Sequence, residues 1–254
     1  MKIEKFEVNC IFAEKKESPF MENPFLVGQR VAPMNLEIQE VAKILKSKVS
    51  PRPAVCRGYS LDSRNVRPNE LFFAITGPNF DGHDFVVSAI NKGAVGAVVS
   101  RDRFESYPQS LRPLLLDSPD TIRALQKLGH VVRKRWARPL VAITGSTGKT
   151  TTKEMIAAFL GLQFQVAKSQ GNYNNELGLP ISLVGLEDNH EIAVMELGMS
   201  HTGDISFLAD LAEPNIGVVT NVGPVHLEYF KSLDAIASAK RELVEKLNPE
   251  GVLV

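Results

Sequence analysis

The stretch "VAITGSTGKTTTK", residues 141–153, combines two glycines, a lysine and a run of hydroxyl side chains in a spacing suited to binding phosphate. Glycine adopts positive φ angles that turn backbone N–H groups inward, and a helix beginning near Lys149 would add its positive end. Lys149 would reach the terminal phosphates of a nucleotide, and the Thr150 hydroxyl would ligate Mg²⁺. The stretch therefore predicts an ATP-phosphate loop, completed by Gly145, Ser146, Thr147, Gly148 and Thr151.

The loop departs from the general pattern G-x-x-x-x-G-K-[ST], because Ile143 stands five residues before Gly148, where that pattern has glycine. We interpret Ile143 as part of the strand that precedes the turn, so that the loop is shorter but its cradle is complete. The alternative is a glycine turn that only packs a strand against a helix. The strand, both glycines, Lys149 and the hydroxyl run occur together in the right context, and this favours phosphate binding.

Further polar residues follow apolar runs that read as buried strands. Glu196 closes "IAVMEL", where a buried carboxylate needs a compensating cation such as Mg²⁺, although a carboxylate in this place can also cap a loop. His226 follows "NIGVVTNVG" and could bind a second cation or orient a substrate, but a lone histidine is more often structural. Lys240 lies in the helical pattern "LDAIASAKRELVEKL" and by itself would be a solvated charge.

The elements that must position these residues alternate between strand and helix from about Arg138 onward. Apolar strands at "RPLVAITG", "EIAVMELG" and "NIGVVTNVG" are separated by the helical stretches "TTKEMIAAFLGL" and "GDISFLADLA". Consecutive buried strands joined through helices predict an α/β fold with a mostly parallel sheet, and ligand sites at the carboxyl ends of its strands. The last residues, "EGVLV", predict another strand, so we expect an incomplete second domain over 137–254.

Residues 35–136 predict a smaller α/β domain that precedes the phosphate loop. The patterns "ELFFAITG" and "AVGAVVS" indicate strands, and "LEIQEVAKILK" and "DFVVSAINKG" indicate helices. A long helix follows in "PDTIRALQKLGHVVRKRW", with Asp117 or Ser118 as its expected cap. Residues 1–34 show little periodicity, and we interpret them as an extension.

Composition excludes several classes of function. Lysine plus arginine equal aspartate plus glutamate at 29 each, so no overall basic charge attracts nucleic acid or an anionic membrane. Cys10 and Cys56 have neither the number nor the spacing for a disulfide framework or a zinc site. The sequence shows no signal peptide and no apolar run of the ~20 residues that a membrane span needs. We therefore expect a cytoplasmic protein without membrane insertion.

Taken together, separate motifs resemble those of the Mur ligase family, the ATP-dependent amide-forming enzymes of peptidoglycan synthesis. The resemblance covers about residues 35–254, and the short phosphate loop has the family's own form. The motifs occur in family order: "DSRNVRPNELFFAITGPNFDGHDF", "TGSTGKTTTKEM", "GNYNNELGLP", "ELGMSHTGDI" and "NVGPVHLEYFKSLDAIASAKRELV". The third and fourth look like the type that adds D-alanyl-D-alanine to UDP-N-acetylmuramoyl-tripeptide.

The resemblance implies roles for individual residues. Lys149 and Thr150 match the phosphate lysine and the magnesium-ligating hydroxyl, and Glu196 and His226 match magnesium ligands. Lys240 matches a lysine that is carbamylated in several family members to supply a carboxylate near a second ion. Residues that match substrate-binding segments are Asp62, Ser63, Arg64, Gly82 and His83 for the UDP-sugar, and Asn174 and Asn175 for a polar loop facing the reaction centre.

The implied reaction has two steps. ATP would phosphorylate the terminal carboxylate of the tripeptide, and the D-alanyl-D-alanine amine would then displace phosphate from the acyl phosphate. Two Mg²⁺ ions and Lys149 would neutralise the crowded anions. Family members also carry the rest of the central domain and a C-terminal Rossmann-like domain, which we do not find in these 254 residues.

Three other functions compete with this interpretation. The first is a ligase of the same family that adds a different amino acid. The second is a binding module for nucleotide or UDP-sugar that joins nothing. The third is a P-loop kinase or motor ATPase, which would require a full-length phosphate loop and a strand-end aspartate where the chain has Ile143 and Glu196. For the leading interpretation we expect a monomer.

Overall fold

The computed structural model of the protein describes residues 36–224 and 230–254, and two parallel β-sheets organise these residues. All of them belong to one structural unit, Ala32–Val254. The predictions for the extension and for His226 lie outside the described residues. No helix in the described ranges has the length and apolar character required to cross a membrane.

The first sheet lies in the N-terminal part of the described chain. An antiparallel pair, β1 and β2, precedes it, and its own strands are all parallel in the order β3-β4-β5-β6. The strands are β1 (Leu36–Glu37), β2 (Val55–Cys56), β3 (Gly58–Ser60), β4 (Glu70–Phe73), β5 (Gly96–Ser100) and β6 (Leu115–Ser118). The helices are α1 (Ile38–Leu45), α2 (Val86–Asn91) and α3 (Thr121–Trp136), with short 3-10 turns at Gly82–Phe85, Phe104–Ser106 and Arg112–Leu114.

The second sheet follows α3 and is also parallel, in the order β11-β10-β7-β9-β8. Its strands are β7 (Leu140–Thr144), β8 (Val166–Lys168), β9 (Ile192–Glu196), β10 (Ile216–Val219) and β11 (Val252–Leu253). The helices are α4 (Lys149–Leu160), α5 (Gly178–Val184), α6 (Asp204–Ala212) and α7 (Leu233–Lys246). The chain crosses over β7 between β9 and β10, so the crevice at the carboxyl ends of β7 and β10 is the switch point of this sheet.

Burial on both faces explains why β7 and β9 are nearly continuous apolar runs, and every residue of both strands is buried. On one face Ile143 and Val194 pack in a cluster with Ala157 of α4. On the other face Ala142 and Met195 belong to a larger core that includes α5, α6 and α7. The α/β fold with mostly parallel sheets is therefore confirmed, and Ile143 lies within the strand that feeds the phosphate loop.

Helix α3 connects the two sheets through a single hydrophobic core. Its apolar side chains recur at helical spacing and are buried, namely Ala124, Leu125, Leu128, Val132 and Trp136. The helix contacts α1, α5 and α6. The division of the chain after residue 136 falls at the end of this shared helix, and it stays a prediction.

The cap of α3 differs from the expected one. Asp120 precedes the helix, and its carboxylate accepts a hydrogen bond from the Arg123 N–H at 3.0 Å. Asp117 lies in β6 instead, where its carboxylate accepts from Arg101 and from the Ser47 hydroxyl. The predicted cap was wrong because the strand continues through Ser118, which moves the helix start past Pro119.

The close approach of α3 to α5 yields a prediction. A Cβ atom on Gly129 would lie 3.0 Å from the Pro180 carbonyl oxygen and 3.2 Å from its Cα, so Gly129→Leu forces the two helices apart. We expect this change to lower the free energy of unfolding by about 2–3 kcal/mol, since overpacking strains a dense core. Urea unfolding followed by the fluorescence of Trp136 measures it.

Lys127→Leu is the matched control for this substitution, because Lys127 is exposed on the same helix. It should change the free energy of unfolding by less than about 0.5 kcal/mol. Equal effects of the two substitutions would contradict the tight helix contact.

Candidate active site

The phosphate loop connects the end of β7 to the start of α4. Gly148 stands just before the helix with φ +79°, and no side chain of the described residues caps the first turn. Gly145 has φ +150°, and a Cβ atom there would lie 1.8 Å from the Thr220 hydroxyl oxygen. The first N–H groups of α4 have no acceptors within the helix, so they remain available to an anion.

The segment after β10 holds this loop in place through Thr220 and Asn221, which the sequence alone did not mark as site residues. The Thr220 hydroxyl donates to the Thr147 carbonyl oxygen at 2.7 Å, and the Asn221 side-chain oxygen accepts from the Thr147 N–H at 3.0 Å. The Ser146 hydroxyl donates to the Gly223 carbonyl oxygen at 2.9 Å. The Ser146 side chain and the Thr147 backbone thus fix the loop at the switch point. The rule that selected Glu196, a polar residue following a strand, would also have selected Thr220 and Asn221.

A buried carboxylate lies beside the start of α4. Glu196 ends β9 and is only 3% exposed. One of its carboxylate oxygens, Oε2, accepts from the Thr150 hydroxyl at 2.8 Å, and the other, Oε1, accepts from the Asn174 amide at 2.8 Å. Within residues 36–224 and 230–254, no cationic side chain forms an ion pair with it. The helix start and the strand end therefore meet through one hydroxyl–carboxylate hydrogen bond.

The Thr150 hydroxyl oxygen and the Glu196 Oε2 oxygen are ligands of the kind that Mg²⁺ binds, but two ligands do not complete its coordination. Mg²⁺ prefers oxygen ligands and is commonly held by one or two protein side chains together with water and substrate phosphates. The described residues contain no group of three or more His, Cys, Asp or Glu side chains that could hold a metal. Thr150 and Glu196 would thus supply two ligands, and nucleotide phosphates and water would have to supply the others.

Lys149 is the neighbour of Thr150 in the first turn of α4, and Lys240 lies close enough to Lys149 for their charges to interact. The Lys149 ammonium donates to the Gly145 carbonyl oxygen at 2.9 Å and so lies along the phosphate loop. Lys240, on α7, is 2% exposed, and its Nζ lies 3.9 Å from the Met199 sulfur. Burial, together with the positive charge of Lys149, lowers the pKa of Lys240 from 10.5 to about 8. Lys240 is therefore a buried amine with a larger neutral fraction near neutral pH than an ordinary lysine, and not the solvated charge that its helical pattern alone suggested.

The two asparagines of the "GNYNNELGLP" stretch have different surroundings. Asn174 contacts Glu196, as described above. The Asn175 side-chain oxygen accepts from the Gly178 N–H at 2.9 Å and so caps the start of α5. The expectation that Asn175 faces the reaction centre stays a prediction. Thr151 is exposed in the first turn of α4.

The predicted UDP-sugar residues lie at the carboxyl edge of the first sheet, after β3 and β4. The half-buried Asp62 forms an ion pair with the exposed Arg64 at 2.8 Å. Ser63 is buried, and its carbonyl oxygen accepts from the Lys92 ammonium at 3.0 Å. No hydrogen bond or ion pair among the described residues joins this edge to the phosphate loop. The structure thus brings Lys149, Thr150, Asn174, Glu196 and Lys240 into one group, and leaves the residues of the first sheet as a second group.

His83 supports its loop from inside and offers no free ring nitrogen to a ligand. Its Nε2 accepts from the Ser100 N–H at 2.9 Å, so the ring proton is on Nδ1, which donates to the Asp81 carboxylate at 2.6 Å. A Cβ atom on Gly82 would lie 2.6 Å from the Ile75 backbone nitrogen, so only glycine fits there. Both residues therefore shape the segment, and the binding of a UDP-sugar by this segment stays a prediction.

Comparison with known proteins identifies the family. The sequence model described as the Mur ligase middle domain matches residues 143–254, and the one described as the Mur ligase family, catalytic domain, matches residues 55–129. The chain belongs to the Mur ligase family. The matched ranges contain every candidate residue named above.

Two similar relatives carry the same functional name. The UDP-N-acetylmuramoyl-tripeptide--D-alanyl-D-alanine ligase of Bacillus subtilis is 38% identical over 220 residues, which are 85% of this chain and 48% of the relative. The enzyme of that name from Escherichia coli is 34% identical over 221 residues, 87% of this chain and 48% of the relative. The chain spans about half the length of these Mur ligases.

Solved structures agree with this relationship. A crystal structure of MurF from Acinetobacter baumannii superposes with a TM-score of 0.76 at 31% identity, covering 86% of this chain and 48% of that one. The MurF ligase of Thermotoga maritima, crystallised in complex with ADP, gives a TM-score of 0.68 at 34% identity, covering 78% and 45%. The Mur ligase fold of the chain is therefore shared with both.

The environment of Lys240 predicts a pH dependence of stability. Its pKa is lower in the folded protein, about 8, than its ordinary value of 10.5 in an unfolded chain. Between pH 8 and pH 10.5 the unfolded state binds more protons than the folded state. The free energy of unfolding should therefore rise with pH over this range. Lys240→Met should remove that part of the rise, as measured by urea unfolding at a series of pH values in buffers free of carbon dioxide.

Lys127→Met, at an exposed position, is the control and should keep the pH dependence of the unsubstituted protein. Parallel curves for Lys240→Met and the control would contradict the lowered pKa of Lys240.

Proposed function

We propose that this Mur ligase chain binds ATP and a UDP-sugar in a ligase that joins D-alanyl-D-alanine to UDP-N-acetylmuramoyl-tripeptide in peptidoglycan synthesis. The observation that carries the proposal is the meeting of Thr150, Glu196 and Lys149 at the phosphate loop. The names of the relatives support the choice of substrates, and the ADP in the Thermotoga maritima structure supports the choice of nucleotide. The cytoplasmic location and the monomeric state remain predictions.

In this proposal the phosphate loop binds the nucleotide. The loop from Gly145 to Thr151 would surround the phosphates, with the N–H groups of the first turn of α4 as its free donors. The Lys149 ammonium would leave the Gly145 carbonyl to bind the phosphates. A bound Mg²⁺ would supply charge neutralisation, held by Thr150 and Glu196. The family resemblance adds His226 as a further ligand. Asn174 keeps one oxygen of the Glu196 carboxylate occupied and so orients the other toward Thr150.

The chemistry follows from the poor reactivity of a carboxylate. An oxygen of the tripeptide's terminal carboxylate attacks the γ-phosphorus of ATP, and ADP leaves. The amine of D-alanyl-D-alanine then attacks the acyl carbon, loses a proton, and phosphate leaves with the electrons of the C–O bond. Lys149 would stabilise the negative charge that these steps concentrate around the transferred phosphoryl group.

Lys240 would contribute as a carbamate in this proposal. A neutral amine attacks carbon dioxide, whereas an ammonium does not, and the lowered pKa of Lys240 increases its neutral fraction. The carbamate would place a negative charge close to Lys149, whose positive charge already acts on Lys240. Asp62, Ser63 and Arg64, with the loop that Gly82 and His83 shape, would hold the UDP-sugar at the first sheet.

Nucleotide binding can be tested on this chain. Calorimetric titration with ADP and Mg²⁺ should show saturable binding, and Lys149→Ala should weaken it by about 10- to 100-fold, because a charge-assisted hydrogen bond to phosphate is lost. Lys127→Ala, which removes an exposed lysine of α3, should bind as the unsubstituted protein does. Absence of binding, or equal affinity for the Lys149 variant, would argue against the phosphate site.

Turnover needs a separate assay, because the chain spans about half of its relatives. The protein as its gene encodes it is incubated with ATP, Mg²⁺, UDP-N-acetylmuramoyl-tripeptide and D-alanyl-D-alanine. Phosphate should appear only when both substrates are present. A different amino acid that replaces the dipeptide equally well would indicate another Mur ligase activity, and nucleotide binding without phosphate release would indicate a binding module.

A further inference from the structure

Lys153 is a fully buried charge that the proposed chemistry does not use. It lies on α4, one helical turn beyond Lys149 and Thr150, and its exposed fraction is 0%. A lysine is rarely buried so completely unless hydrogen bonds and charges compensate it. Its position directly behind the phosphate loop raises the question of what its ammonium group holds.

The ammonium group binds the chain segment between β8 and α5. It donates to the Ser169 carbonyl oxygen at 2.8 Å and to the Gly171 carbonyl oxygen at 3.3 Å, and Glu154 lies 3.4 Å away as its ion-pair partner. These three groups match the three N–H donors of a lysine ammonium. Lys153 therefore joins the phosphate-loop helix to residues 169–175, which we name the 169–175 loop.

The 169–175 loop carries Asn174 to Glu196. Its first residue is fixed to β9, because the Ser169 N–H donates to the Val194 carbonyl oxygen and its hydroxyl accepts from the Glu196 N–H, both at 3.2 Å. At its other end the Asn174 carbonyl oxygen accepts from the Gly198 N–H at 2.7 Å. Between these ends, Gly171 turns the backbone with φ +52°.

The hydrogen bonds inside the loop are local and do not anchor it. The Tyr173 N–H donates to the Gln170 carbonyl oxygen, and the Asn174 N–H donates to that of Asn172. Among the hydrogen bonds of the described residues, the one from Lys153 ties the Gly171 backbone to another element. An apolar side chain at this position would leave two carbonyl groups without this donor, at a cost that a buried polar group normally incurs.

We propose that Lys153 is a positioning residue that fixes the 169–175 loop so that Asn174 holds one oxygen of Glu196 and leaves the other for Thr150 and a cation. It acts through the backbone carbonyls of Ser169 and Gly171 and touches no ligand itself. The fixing of the loop rests on the observed contacts alone. Its effect on a bound cation rests on the proposed function.

Hydrogen exchange tests the fixing of the loop without any ligand. In Lys153→Met, which has a similar volume and no donor, the amides of Asn174 and Gly198 should exchange at least about tenfold faster, because the loop opens more often. Amides of β7 should not change. Unchanged exchange at Asn174 and Gly198 overturns the proposal.

Two further variants complete this experiment. Lys127→Met, on the exposed face of α3, controls for the loss of a lysine and should exchange as the unsubstituted protein does. Should Lys153→Met not fold, the same exchange measurement is made on Lys153→Gln, whose donor is carried on a shorter side chain. Faster exchange at Asn174 and Gly198 supports the proposal, and unchanged exchange overturns it.

ADP titrations with and without Mg²⁺ test the effect on the site. Lys153→Met should reduce the gain in affinity that Mg²⁺ provides by about tenfold and leave the affinity without Mg²⁺ unchanged. Asn174→Ala should reduce the gain from Mg²⁺ by a similar factor, and the double variant should lose no more of this gain than either single variant. If the losses of the two single variants add in the double variant, the proposed role at the site is overturned. A loss of ADP affinity that is equal with and without Mg²⁺ also overturns it. If the unsubstituted protein binds no ADP, the proposed function fails, and hydrogen exchange alone decides the positioning role.

Discussion

The hydrogen bond between the Thr150 hydroxyl and the Glu196 carboxylate is the contact on which the site depends. It joins the first turn of α4 to the last residue of β9, and so joins the phosphate loop to the centre of the second sheet. A carboxylate that is 3% exposed is costly unless donors or a cation compensate its charge. Here a hydroxyl and an amide do so on separate oxygens, which leaves the arrangement suited to a cation that phosphates help to bind.

The parallel sheet explains why these groups lie together. The chain turns to opposite sides after β7 and after β10, so their carboxyl ends open a crevice, and the loop at Gly145 lies against Thr220 there. Helix α3 packs in one hydrophobic core with both sheets. The first sheet, which carries the candidate UDP-sugar residues, is thereby connected to the second sheet. The residues that the structure brings together around the phosphate loop thus come from four elements. These are α4, β9, α7 and the loop before α5.

Local chemistry made much of this predictable from sequence. Long apolar runs revealed β7 and β9, the two glycines and Lys149 revealed the loop, and the end of an apolar run marked Glu196. Shorter or irregular segments escaped: β8 has three residues, and α5 is a single short helix containing glycine and proline. Contacts between distant residues escaped for a different reason. The hydrogen bonds of Asn221 with Thr147 and of Lys153 with Ser169 depend on how the elements pack, which a local sequence pattern does not predict.

The most direct test of the site is a crystal structure of this chain with ADP and Mn²⁺, an ion that substitutes for Mg²⁺ and can be located by its anomalous scattering. We expect the β-phosphate within the Gly145–Gly148 turn and Mn²⁺ bound to the Thr150 hydroxyl and the Glu196 carboxylate, with Asn174 still on the other carboxylate oxygen. A nucleotide bound away from this turn, or Mn²⁺ without either protein ligand, would contradict the account.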